Sequence, residues 1–188
     1  MKSVLYSSRH LLAVVLLIGL SGCVSVNRVT EGSQTAFGGR IAFTAPINWV
    51  RYDYSDQPVI LTRDGSTIQS VTLAMGPVAK VLPKTKPAVD ASRLPQEVGD
   101  MVLAERRALL GDAPLKVKEV VPAMIGGAQG FRARASYRNE RGAPYELMIA
   151  GAMVQDSLVV VSYQALAVHF FERDMPAVEG LLASLNVR

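Results

Sequence analysis

Residues 130–138 read GFRARASYR, and their side chains alternate: Phe131, Ala133, Ala135 and Tyr137 on one side, Arg132, Arg134, Ser136 and Arg138 on the other. Successive strand residues point to opposite faces, so the segment predicts a strand with one buried face and one wet face. Parallel strands are covered on both sides and read as continuous apolar runs, whereas a half-wet strand belongs to an antiparallel sheet. Three neighbours are strand candidates too: LKVKEVV (115–121), YELMIAGAMV (145–154) and LVVVSYQAL (158–166). Their separators, PAMIGGAQ, NERGAP and QDS, are turn chemistry suited to strands that reverse direction.

Working outward, PVILTRDGSTIQSVTLAMG (58–76) places two β-branched runs around Asp64-Gly65, a hairpin signal because glycine accepts positive φ. RIAFTA (40–45) and INWVRYDY (47–54), with the only tryptophan, are strand-like too. Residues 77–95 carry four prolines and three lysines, which predicts an irregular connection. A connection of that length is often functional or mobile. PQEVGDMVLAERRALL (95–110) predicts a helix burying Val98, Met101, Val102, Ala108 and Leu109, with Gly111 as its stop. The chain closes on a second helix, where Asp174 fits a cap, Pro176 the first turn, and Val178, Leu181, Leu182 and Leu185 the apolar stripe. Strands, a helix, about four antiparallel strands and a terminal helix define an α+β domain, an antiparallel β-sheet flanked by helices.

The N-terminal segment has a different logic. Lys2 and Arg9 precede the apolar run Leu11 to Leu20, whose ten helical residues would rise only about 15 Å, half a hydrocarbon core. That is the anatomy of a signal peptide rather than of a permanent span. The only cysteine follows directly, and Leu20-Ser21-Gly22-Cys23 matches the bacterial lipobox, in which the thiol is diacylated and becomes the new N-terminus. The expected organisation is a signal peptide over 1–22, a lipidated Cys23 with a flexible tether to 38, and one domain over 39–188. Several acyl chains, each contributing about 0.8 kcal/mol per buried methylene, anchor stably. Val24, where an inner-membrane retention signal would have Asp, favours the outer membrane, with the domain on its periplasmic face.

Cleavage removes two of the 20 basic residues and none of the 16 acidic ones, leaving a nearly neutral domain and no indication of nucleic-acid binding. With its one cysteine taken by lipid, the mature chain has no disulfide and no thiolate metal site, and needs no cofactor. Of two histidines only His169 survives, so paired-histidine zinc motifs are excluded and any serine triad would depend on it. No serine sits in a GxSxG elbow. Asp53 and Asp56 form a carboxylate pair in RYDYSDQP, a context that reads as a solvated loop. IGGAQG (125–130) lacks the lysine of a phosphate loop and precedes a strand, so its glycines serve a bend or bulge.

The Pro46-Ile47-Asn48-Trp49 turn, the aromatic pair Phe170 and Phe171 after a β-rich run, and the final Leu-Ala-Ser-Leu of 182–185 resemble the PsbP-like fold. Photosynthetic extrinsic proteins, a Ran-binding import factor and DcrB-type bacterial envelope lipoproteins share it. The resemblance spans about residues 39–187 and implies a non-enzymatic module that docks on partners or helps assemble complexes. It brings no catalytic or ligand residues. Asn48 stands where relatives often have glycine.

What remains for binding is surface charge and aromatics. Arg132, Arg134 and Arg138 share one face of their strand, and Lys116 and Lys118 alternate on the strand before. Antiparallel pairing would gather the five cations into a patch suited to acidic lipid head groups, lipopolysaccharide phosphates or an acidic protein. The alternative is a wet sheet face whose cations pair with Glu119, Glu140 and Glu146. Trp49 reads as core, while Tyr52 and Tyr54 stay open as contact anchors. The leading expectation is a monomeric, lipid-anchored periplasmic module that binds another envelope component without chemistry. The first rival is a carrier of lipid or a small hydrophobic ligand with residues 77–95 as a lid, and the second a hydrolytic enzyme.

Overall fold

The computed structural model describes residues 24–29, 31–54, 58–88 and 93–188. The signal peptide, Cys23 and Asp56 lie outside the described residues. Among the described residues, eleven strands and three helices follow in chain order: β1 Val24–Arg28, β2 Ser33–Ala36, β3 Ile41–Thr44, β4 Val50–Tyr54, β5 Val59–Thr62, β6 Gln69–Gly76, α1 Val78–Val81, α2 Pro95–Leu110, β7 Lys116–Ile125, β8 Ala128–Arg138, β9 Pro144–Val154, β10 Ser157–Leu166, α3 Phe170–Ser184 and β11 Asn186–Val187.

Eight strands form one antiparallel sheet in the order β1-β4-β5-β6-β10-β9-β8-β7, and a smaller sheet runs β11-β3-β2. The large sheet separates two cores. On one face Leu73, Val161 and Tyr163 pack with Phe43 of the small sheet and Phe171 and Val178 of α3. On the other, Phe131, Ala133, Leu147 and Ile149 pack with Val98 and Val102 of α2. The architecture is therefore α2 with α1, then the large sheet, then α3 with the small sheet. The alternation that predicts a half-wet β8 holds, with Phe131, Ala133 and Ala135 buried.

The segment read as a tether is built into both sheets. β1 pairs with β4 from Val24↔Tyr54 to Arg28↔Val50, and β2 pairs with β3 from Ser33↔Thr44 to Ala36↔Ile41. Its polar composition hid this because Ser25, Val26, Asn27 and Arg28 are exposed on an edge strand; backbone pairing, not burial, orders them. The turn after β3 explains the Asn48 departure: its φ is 66°, a left-handed conformation that glycine adopts freely and asparagine tolerates better than most. Trp49 beside it is 3% exposed and part of the core.

Other expectations need correction. β7 continues through Pro122 to Ile125, and the hairpin to β8 is the pair Gly126-Gly127, both at positive φ. Proline is tolerated there because β7 is an edge strand with one side free of ladder bonds. Ala108 and Leu109 are exposed, since α2 meets the sheet through its first three turns only, and Glu105 takes a buried place instead. Asp174 does not cap α3. The helix begins four residues earlier, which seats the Phe171 ring on Tyr163 at 5.0 Å, and Asp174 is buried within it against Arg173 at 2.5 Å and Arg63 at 3.2 Å. Pro176 sits inside the helix on its exposed side. Among the described residues, no helix is long and apolar enough to cross a membrane.

Candidate functional site

The cationic residues singled out by sequence do come to one face, and most are occupied. Arg132 and Arg134 project on the α3 side of β8. Arg132 forms a two-pronged pair with Glu179, one arm at 3.0 Å, and Arg134 pairs with Glu172 at 2.9 Å while its guanidinium lies 4.9 Å from the centre of the Phe171 ring. A register shift between Val117 and Glu119 displaces Lys118 so that it reaches Glu146 on β9 at 2.6 Å. Arg138 donates to the carbonyl of Gly142 at 2.7 Å, and Lys116 is exposed. The partners are Glu146, Glu172 and Glu179; Glu119 and Glu140 make none of these pairs. Two of the five cations thus hold α3 against the sheet edge, a role the sequence could not reveal because the acids lie about 40 residues downstream.

His169 is exposed at the N-cap of α3 with φ 72°, edge-on to Phe170, and has no carboxylate or hydroxyl arranged as a catalytic partner among the described residues. Asp53 is engaged by Arg51 at 2.8 Å, which also donates to the Thr35 carbonyl and so ties the two sheets together.

The opposite face of the large sheet holds the feature with room for a ligand. α2 covers β8 and β9, α1 covers β6 and β10, and between them the short side chains Thr72, Ala74 and Ser162 fail to fill the gap. A cavity of about 220 Å³ results, floored by those residues with Ile149 and Val160 and roofed by Leu82 and Val102. It shares Pro58, Ala74, Val81 and Leu109 with a wider cleft of about 730 Å³ at the end of the sheet, where Tyr54, Met75 and Pro83 form the walls. The proline-rich connection supplies much of the roof. It is not wholly irregular: α1 makes one turn, and the stretch after it is clasped by Glu105, whose carboxylate accepts from the backbone N–H of Lys84 at 2.9 Å, that of Thr85 at 2.8 Å and the Thr85 hydroxyl at 2.7 Å.

Arg106 is the cation of this cavity. Its Nη2 donates to Ser162 Oγ at 2.7 Å, and burial holds its pKa below the usual guanidinium value, with Tyr137 acting in the opposite direction. Burial in turn pushes the Tyr137 phenol up, partly offset by Arg106. Arg106 reaches the sheet from the last part of α2, one turn before the exposed Leu109.

Comparison with known structures fits this architecture. The cyanobacterial PsbP protein CyanoP of Synechocystis sp. PCC 6803 matches with TM-score 0.59 and 11% identity, over 90% of this chain and 96% of its own. The fold is that of PsbP and Mog1. The Ran-binding protein Mog1p of Saccharomyces cerevisiae matches with TM-score 0.58 and 13% identity, over 87% of this chain and 96% of its own. No family model matches the sequence, and no curated protein does. The expected sheet-and-helix class is thus observed, with a small second sheet in addition.

Proposed function

We propose that this chain is a DcrB-type envelope lipoprotein, anchored through Cys23 in the outer membrane, whose domain is a non-catalytic module that binds or assembles with another envelope component. The observation that carries the reading is the start of β1 at Val24, one peptide bond from the lipobox cysteine. Acylation there would put the β1–β4 edge of the large sheet at the bilayer with no intervening linker. Mog1p, on the same fold, is Ran-binding, which supports protein recognition as the class of activity. Lys116 and Arg138, at the far edge of the sheet, would be the members of the cationic set offered to a partner, since Arg132, Arg134 and Lys118 are engaged within the domain.

Crosslinking in intact cells tests this, comparing wild type with Cys23→Ser and identifying captured proteins by mass spectrometry. A protein caught only by the anchored form is the expected result. Equal capture by both forms, with Cys23→Ser still fractionating with membranes, refutes the anchored-module reading. The cavity under α2 favours a second reading, carriage of an apolar ligand, because it is roofed by the same segment that sequence analysis read as a lid.

A further inference from the structure

The cavity is mostly apolar, and its polar part is built in an unusual way. Its polar lining is Thr72, Ser162, Arg106 and Glu105: Ser162 pairs with Thr72 across the β6–β10 ladder and accepts from Arg106. Arg106 is half-buried, and a guanidinium drawn out of water is costly without an anion, which proteins ordinarily supply as a carboxylate. Here the adjacent acid, Glu105, is turned toward Lys84 and Thr85 and makes three hydrogen bonds with them. Arg106 keeps only the hydroxyl of Ser162, and among the described residues it forms no ion pair. A planar fork of donors facing an apolar chamber matches a carboxylate on a hydrocarbon chain.

We infer that the cavity between α2 and the sheet binds a long-chain fatty acid, its carboxylate on Arg106 and Ser162 and its chain running past Ala74 and Val81 into the cleft at the end of the sheet. The cleft's position agrees with this. Its wall includes Tyr54, the residue paired with Val24, so it opens at the end of the sheet where the chain leaves toward Cys23. A fatty acid leaving a bilayer would meet that opening first. A protein segment fits poorly, because the inner chamber of about 220 Å³ admits only a narrow chain and the space widens only in the outer cleft of about 730 Å³. The inference deepens the carrier reading and is independent of the protein-docking one.

The test uses the full lipidated protein in phosphatidylcholine vesicles, photolabelled with a diazirine-bearing octadecanoic acid or the matching alcohol, with labelled peptides located by mass spectrometry. Labelling by the acid is expected on the peptides holding Ala74 to Leu82 and Arg106 to Leu109. Arg106→Ala should lower it by about tenfold, the usual scale for losing a charged hydrogen-bond partner, while leaving the alcohol unchanged. Arg106→Lys keeps the charge but not the fork and should restore only part of the labelling lost in Arg106→Ala. Ala74→Leu, which fills the floor, should abolish both probes with the melting temperature intact. Equal labelling of wild type and Arg106→Ala by the acid overturns the carboxylate assignment while leaving the carrier reading standing. Absence of both probes from these peptides in the wild type overturns the two together.

Discussion

Replacing Glu105 tests whether the proline-rich connection is held or merely solvated. The carboxylate is 3% exposed and accepts three hydrogen bonds from the turn after α1, so Glu105→Ala removes all three. Bonds to a charged acceptor contribute about 1.5–3 kcal/mol each when the partner is then stranded. Lys84 and Thr85 are exposed, so water recovers their donors, and deleting a buried charge also removes its desolvation cost. The net loss should be about 2–3 kcal/mol, a large share of a domain's 5–15 kcal/mol. With a urea slope of about 2 kcal/mol/M, the midpoint falls by about 1–1.5 M. Tryptic cleavage after Lys84 should accelerate under native conditions, since Lys86 is protected by Pro87 and cannot substitute as the site. Thr85→Ala removes one bond of the three and should cost about 1 kcal/mol. A Glu105→Ala midpoint within 0.3 M of wild type (roughly the resolution of the extrapolation), with cleavage after Lys84 unchanged, would show that something other than this carboxylate holds the connection.

Three other outcomes follow from the same geometry. A double-mutant cycle on Arg134 and Glu172 should give a coupling of only about 0.5 kcal/mol, because the acid is 73% exposed, whereas Arg134→Ala alone should cost about 1–1.5 kcal/mol through its contact with the Phe171 ring; chemical denaturation separates the two. Gly130→Ala would place a methyl 2.2 Å from the Gly151 carbonyl oxygen and should prevent recovery of folded protein, while Gly127→Ala, with open space around it and φ 90°, should cost only about 1–2 kcal/mol. Tyr163 is fully buried, its hydroxyl donating to the carbonyls of Phe170 and Phe171, and burial followed by the Asp174 charge raises its pKa. Its native form therefore holds a proton that the unfolded chain releases near pH 10, so stability should fall as pH rises beyond about 10, and Tyr163→Phe should flatten that decline in thermal melts.

The parts legible in sequence are those where burial writes a period. β8 alternates, α2 repeats at helical spacing over its first turns, and β9 and β10 are apolar runs buried on both faces, so their existence and order could be read directly. What escaped was structure made by backbone pairing alone. β1 and β2 carry Ser, Asn, Gln and Thr because an edge strand needs hydrogen bonds rather than apolar side chains, and such segments look like linkers. β11 has two residues, too short for any period. The cationic face was legible as a set, but its occupation depends on where α3 lies over the sheet. The cavity was invisible for a further reason. It is defined by residues that are too small, Ala74 and Ser162, and by the last turn of α2 leaving the sheet, and neither is a property of a local window.

Replacing a tether with a strand changes what an anchor at Cys23 would do. A flexible coil of 15 residues gives a reach of roughly 20 Å and lets a domain sample many orientations. A strand paired from Val24 onward would hold one orientation, because the Val24↔Tyr54 pair would then set which end of the sheet meets the bilayer. The same end carries the opening of the cleft, and the far edge carries Lys116 and Arg138. A protein partner of the envelope would then reach the cationic edge from the periplasm while an acyl chain enters from the membrane side, so docking and carriage need not compete for one surface. Inserting a flexible linker of about 15 Gly and Ser residues between Cys23 and Val24 separates them: it leaves partner capture in place, because reach increases, and lowers acyl-chain labelling from vesicles, because the cleft is no longer held at the source.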